Sequence, residues 1–120
     1  MANLLRQHRI IGDPELVSLT AFRNVDFRYS IQLWDNELGA AIDISDTTLE
    51  AVLRDAGTAL STAIVDAAAG IWLVSLTDEQ TNDDEVCPDS DYLTIVWIDS
   101  LGLRHPISRG PIEFRTLAGA

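Results

Sequence analysis

The residues of this chain best suited to chemistry are carboxylates, and their densest group is Asn82-Asp-Asp-Glu-Val-Cys-Pro-Asp-Ser-Asp91. Oxygen-rich loops hold Ca²⁺ when their ligands alternate around a turn glycine. This loop has neither the EF-hand spacing nor its glycine, so a solvated loop is the expectation. Asp35, Asp43, Glu50 and Asp99 fall in separate segments, and nothing in their spacing pairs two of them as acid and base. His8 and His105 are isolated, and Cys87 precedes Pro88 with no base beside it. The serines at 18, 30, 45, 61, 75, 90, 100 and 108 lack the context of a nucleophile elbow. No catalytic residue, cofactor or metal site is therefore assigned, and the chain is expected not to be an enzyme.

Composition narrows the partners. A net charge of −11 over 120 residues argues against nucleic acid, which needs a basic face to displace counterions. All eight basic residues are Arg, from GC-rich codons or because Arg forks serve protein contacts. No apolar run approaches the roughly 18 residues that span a bilayer. The N-terminus shows no signal-peptide core, so a soluble protein made in a cytosol is expected. One cysteine leaves no internal disulfide. The length suits one domain with a core of its own.

The elements that must position these residues are mostly strands. Val25, Phe27, Tyr29, Ile31 and Leu33 alternate with polar neighbours over 25–34, a half-buried strand ending at Trp34. Asp35-Asn-Glu-Leu-Gly39 follows as a turn, and Trp97-Ile-Asp-Ser-Leu-Gly102 echoes it. Segment 46–69 is ambiguous. Leu49, Val52, Leu53, Ala56, Leu60 and Ile64 fit a helix slightly better, whereas period two gives two strands around Asp55-Ala-Gly57. Segment 71–76 reads as a buried strand. Thr77-Asp-Glu-Gln80 has the spacing of a capping box, predicting one helical turn. Tyr92–Ile98 is a second apolar strand. The stretch from Leu103 to Arg115 is a last strand, placed at an edge or bulged by its prolines. Short strands with regular turns predict a β-sandwich over 16–120, with residues 1–15 as an N-terminal arm.

Three features in order carry a family resemblance: Ala41-Ile-Asp-Ile-Ser45; Asp66-Ala-Ala-Ala-Gly70 with Trp72-Leu-Val-Ser-Leu-Thr-Asp-Glu-Gln-Thr81; and Asp91-Tyr-Leu-Thr-Ile-Val-Trp-Ile-Asp-Ser-Leu-Gly102 leading to Gly110-Pro-Ile-Glu-Phe. Over about 25–115 the chain resembles small immunoglobulin-like virion proteins of tailed bacteriophages, including the N-terminal domain of baseplate upper proteins. Ser45-Asp46 departs from the Thr-Gly usual there, and the loop at 82–91 is longer and more acidic. The resemblance implies an all-β, immunoglobulin-like antiparallel sandwich and tips 46–69 toward strands. It also implies a role by assembly with other virion proteins, as a homo-oligomer within a symmetric particle.

That register sends Trp72, Val74 and Leu76, with Leu93, Ile95 and Trp97, into the core. Ile71, Leu73, Tyr92, Val96 and Ile98 then face outward, which an antiparallel strand open to water does not favour. The arm or a partner must cover them, unless the register is off by one. With Leu4, Leu5, Arg6 and Arg9 of the arm, which would dock by adding a strand to an edge, these are the expected interface residues. The expected role is in the tail, baseplate or fibre-attachment region. The alternatives are a capsid decoration or head-spike base protein, or a carbohydrate- or receptor-binding module with Trp34 and Trp97 as stacking platforms. Exposed rings at those two positions would favour the last.

Overall fold

The computed structural model describes the backbone of residues 4–9 and, with their side chains, residues 15–35 and 37–116. The alternation over 25–34 becomes β4 (Phe27–Asp35), with Tyr29, Ile31 and Leu33 fully buried. Each such side chain contributes about 1.5–3 kcal/mol by leaving water. β8 (Ile71–Leu76) runs antiparallel beside β4, pairing Phe27 with Leu76 and Gln32 with Ile71. β7 (Ser61–Asp66) lies on the other side of β8 and β1 (Leu4–Arg9) on the other side of β4, giving the order β1-β4-β8-β7. The short β5 (Ala40–Ala41) pairs with the end of β4. The second sheet has the order β2-β10-β9-β6, from β2 (Glu15–Leu16), β10 (Arg104–Arg115), β9 (Ser90–Ile98) and β6 (Thr48–Leu53). β3 (Leu19–Phe22) also pairs with β10.

The two sheets close over one core, and the inner register is the expected one. Trp72, Val74 and Leu76 meet Leu93, Ile95 and Trp97 there, joined by Leu49, Ala51, Leu53, Ile107, Ile112 and Phe114. Chain crossings from sheet to sheet between β5 and β6, between β6 and β7 and between β8 and β9 make this an immunoglobulin-like β-sandwich. The indole Nε1 of Trp72 is buried without a hydrogen-bond partner.

Segment 46–69, which periodicity alone tilts toward a helix, is two strands, β6 in the second sheet and β7 in the first, joined by a turn closed by a bridge between Val52 and Ala59. Two interactions decide it. Gly57 takes a φ of +73°, which a helix interior does not offer. The buried Asp91 carboxylate accepts the amides of Asp55 (2.9 Å) and Ala56 (3.0 Å), pinning the turn to the start of β9. The capping box forms as expected ahead of α1 (Asp78–Asn82): the Gln80 amide donates to Thr77 Oγ1, and the Thr77 amide donates to Gln80 Oε1.

The last strand, expected at an edge or bulged, takes the second course: β9 flanks β10 on one side and β2 and β3 on the other. It tolerates Pro106 through a register shift between Pro106 and Ser108. The antiparallel sandwich is extended by three short N-terminal strands, β1, β2 and β3, which join it in parallel. The segment set apart as an arm also supplies structure to its own domain: Leu4–Arg9 pair with Tyr29–Trp34, and Glu15 opens β2. A lone segment of six residues shows too little periodicity to reveal pairing with a strand 25 positions away. The side chains of Leu4, Leu5, Arg6 and Arg9 lie outside the described residues.

Candidate interaction surfaces

β9 turns Tyr92, Thr94, Val96 and Ile98 to the outer face of the second sheet, where each is half-buried. Arginines supply the cover. The Arg54 guanidinium lies 4.6 Å from the Tyr92 ring centroid, a cation–π contact. Arg104 on β10 and Glu50 on β6 pair across β9, at 3.1 and 2.9 Å. Glu50 is level with Val96 and Arg104 with Ile98, so the pair bridges the strand between those side chains. The bond from Arg104 holds the Glu50 carboxyl below the usual carboxylate range and pushes the guanidinium up.

Ile71 and Leu73 are half-buried on the outer face of the first sheet, between β4 and β7. They do not join Tyr92, Val96 and Ile98, because the core separates the two outer faces. The surplus apolar surface is therefore two modest strips and not one patch. The edges differ more sharply than the faces. β6 has its free side closed: Leu60 N donates to Ala51 O, Leu53 N donates to Thr58 O, and Thr62 Oγ1 donates to Leu49 O. β7 carries exposed Ile64 and Val65, and a register shift between Ile64 and Asp66 is its main irregularity.

Trp97 is only 6% exposed. Its Nε1 donates to Thr47 Oγ1 at 3.0 Å, and its ring lies 5.2 Å from that of His105. Inward alternation along β9 places it there, so it offers no stacking face, and the expectation of a Trp97 platform is corrected. Trp34 is half-buried at the end of β4. His105 Nε2 lies 2.8 Å from Asp99 Oδ2, and this bond is the main reason the Asp99 carboxyl sits low. The same Asp99 accepts the amides of Leu101 and Leu103 through Oδ1, so its role is to shape a turn. Asp35 does the same for Glu37 and Leu38. Asp43 bonds Ser45, whose hydroxyl holds that carboxyl low. These carboxylates are occupied with structure at separate loops. Among the described residues, no three His, Cys, Asp or Glu side chains gather as a metal site.

What the chain shares with known proteins is its architecture. It is similar to the N-terminal domain of a phage protein. The structure aligns with the N-terminal domain of phage TP901-1 ORF48 over 96% of this chain and 99% of that one, with a TM-score of 0.61 and 10% identity. It also aligns with the Lin-41 filamin domain over 80% of this chain and 82% of that one, with a TM-score of 0.49 and 19% identity. No family model matches the chain, and no curated protein sequence does.

Sequence reasoning missed three exposed leucines at one end of the sandwich. Leu38 is 78% exposed, Leu101 83% and Leu103 57%. A signal was present, since the paired Asp-x-x-Leu-Gly and Asp-Ser-Leu-Gly turns each hold a leucine at a tip with glycine behind it. The φ of Gly39 is +63° and that of Gly102 +82°. Arg23 was also missed. Its guanidinium donates to Thr81 O, Cys87 O and Asp89 Oδ1, tying α1 and the acidic loop to the end of β3.

Proposed function

We propose that this domain is a structural protein of a phage virion, acting by protein–protein assembly in the tail, baseplate or fibre-attachment region. The observation that supports this reading is the alignment over nearly the whole of both chains with a phage N-terminal domain. The sequence motifs at 41–45, 66–81 and 91–114 resemble baseplate upper proteins independently of that alignment. The carboxylates engaged in turns and the buried Cys87 favour assembly over chemistry.

β1 offers a route to assembly. It lies on the edge of β4 in parallel, while β2, the next strand along the chain, belongs to the other sheet. The same backbone bonds form when β1 lies on β4 of a neighbour, so exchange of Leu4–Arg9 links copies at little cost in contacts. In a symmetric particle, repeated modest interfaces add up through high effective concentration.

The reading is tested by immunogold labelling of particles from the host strain that carries the gene, using antibody raised against the purified chain. Gold on the tail or its tip supports it. Gold on the head moves the domain to capsid decoration, and particles that carry none overturn the virion role.

A further inference from the structure

At one end of the sandwich, four loops come together. β4 finishes at Asp35, β6 starts at Thr48 beside Ile98, β7 turns into β8 after Asp66, and β9 turns into β10 after Ile98. Leu38, Leu101 and Leu103 stand out from this end, on turns whose amides are already bonded to Asp35 and Asp99. Ordering these tips on binding therefore costs little entropy. The turns and crossings at this end also carry Asp35, Glu37, Asp43, Asp46, Asp66 and Asp99. Among the described side chains the positive groups at this end are Arg104, paired with Glu50, and His105, bonded to Asp99.

We propose that this end docks a basic protein segment that carries apolar side chains, with Leu38, Leu101 and Leu103 as its contacts and the surrounding carboxylates as its charge partners. Charge complementarity selects that occupant. Nucleic acid and anionic lipid present phosphates, which six carboxylates repel. A second copy fits poorly, because the chain carries −11 overall. Its arginines on the outer face of the second sheet are largely engaged already: Arg54 with Asp55, Arg104 with Glu50 and Arg115 with Glu113. A cationic protein surface satisfies both the apolar tips and their acidic rim. This names a partner class for the assembly reading and rests on it. Its test uses the isolated chain, so its failure is separate from a failure of particle labelling.

The test titrates ¹⁵N-labelled protein with a 14-residue amphipathic peptide of leucine and lysine, and with a second peptide in which serine replaces every leucine. Shift changes confined to 37–39, 42–47, 67–70 and 99–103 are expected, with weaker binding of the serine peptide. Affinity should drop steeply between 50 and 500 mM NaCl. L38S/L101S should weaken binding about tenfold or more while leaving the thermal midpoint unchanged, because exposed tips contribute little to the core. Neutralising Asp83, Asp84 and Glu85 at the opposite end should leave affinity as it was. Absence of binding, shifts centred on 83–85, or unchanged affinity in L38S/L101S would each overturn the proposal.

Discussion

Arg104 and Glu50 pair through two guanidinium nitrogens and both carboxylate oxygens, from strands on opposite sides of β9. Neither strand touches the other in the sheet. The pair exists because β9 holds both neighbours in register and turns Val96 and Ile98 up between them. An exposed ion pair is normally weak. Here its register beside Val96 and Ile98 also places the arginine stem where it can cover apolar surface.

Arg104→Ala should therefore do more than remove a charge. It should increase binding of a hydrophobic dye, as Val96 and Ile98 become accessible, and Glu50→Gln should do so less. The coupling between the two positions, measured by a double-mutant cycle in urea, should shrink at high salt. An arginine variant with unchanged dye binding would show that the strap covers nothing.

Acid should weaken the fold. Glu50, Asp43 and Asp99 all have carboxyls held below their ordinary values of 4.5, 3.8 and 3.8. A depressed folded value contributes stability that is present above the unfolded value and lost as pH falls through the folded one. The urea midpoint should be flat from pH 7 to 5 and fall below about pH 4. Asp99→Asn should reduce the size of that fall, since Asn keeps an oxygen for the Leu101 and Leu103 amides without a carboxylate to protonate.

Gly110 tolerates no side chain. A Cβ there would sit 1.8 Å from Val17 O, where the chain between β2 and β3 passes over β10. Val17 N also donates to Arg109 O at 2.9 Å, so the approach is held from both sides. Gly110→Ala should destabilise by about 3 kcal/mol, read from denaturant unfolding, with amide shifts concentrated at 15–22. A variant as stable as the parent would mean that the β2–β3 passage can move away freely.

Arg23→Met should loosen the acidic loop. Its guanidinium is mostly buried and makes three hydrogen bonds, two of them to main-chain carbonyls that would lose a partner. The expected loss is about 3 kcal/mol. Hydrogen exchange should speed up at 81–89 before it does in β4. Uniform speeding across the domain would show that the loop is not a separate unit.

Cys87 should stay silent in the native state. Burial is the main cause pushing its thiol from 9.0 up to about 11, and the side chain is fully inaccessible. A raised folded value gives stability that is complete below the unfolded value and lost as pH climbs toward 11. A disulfide reagent at pH 8 should therefore react at the rate of unfolding, and in urea should react at once. Fast reaction in the native protein would place the thiol at the surface.

Much of the sheet could be read from the chain because period two is a local signal. Tyr29, Ile31 and Leu33, then Trp72, Val74 and Leu76, then Leu93, Ile95 and Trp97, each declare an inner face without reference to any other strand. The Thr77–Gln80 box is likewise closed within four residues. Segment 46–69 was not settled this way, since its Leu and Ala spacing satisfies both periods. The interaction surface was legible only in outline. The outward side chains of β8 and β9 were identified, but not that they lie on opposite sides of the core, nor that leucines crown one end.

By itself, then, the sequence determined that β4, β8, β9 and β10 are strands, which side of β8 and β9 faces inward, where α1 starts and how acidic the whole is. Those properties rest on alternation, capping and composition, all of which act within a few residues. Only the tertiary structure decided that Leu4–Arg9 extends the first sheet, that Asp91 locks a turn 35 positions away, that Arg104 reaches Glu50 over β9 and that Trp97 is out of reach of a ligand. Each of these depends on where two distant segments come to rest, and that is set by the closing of both sheets over a shared core, which no local pattern encodes.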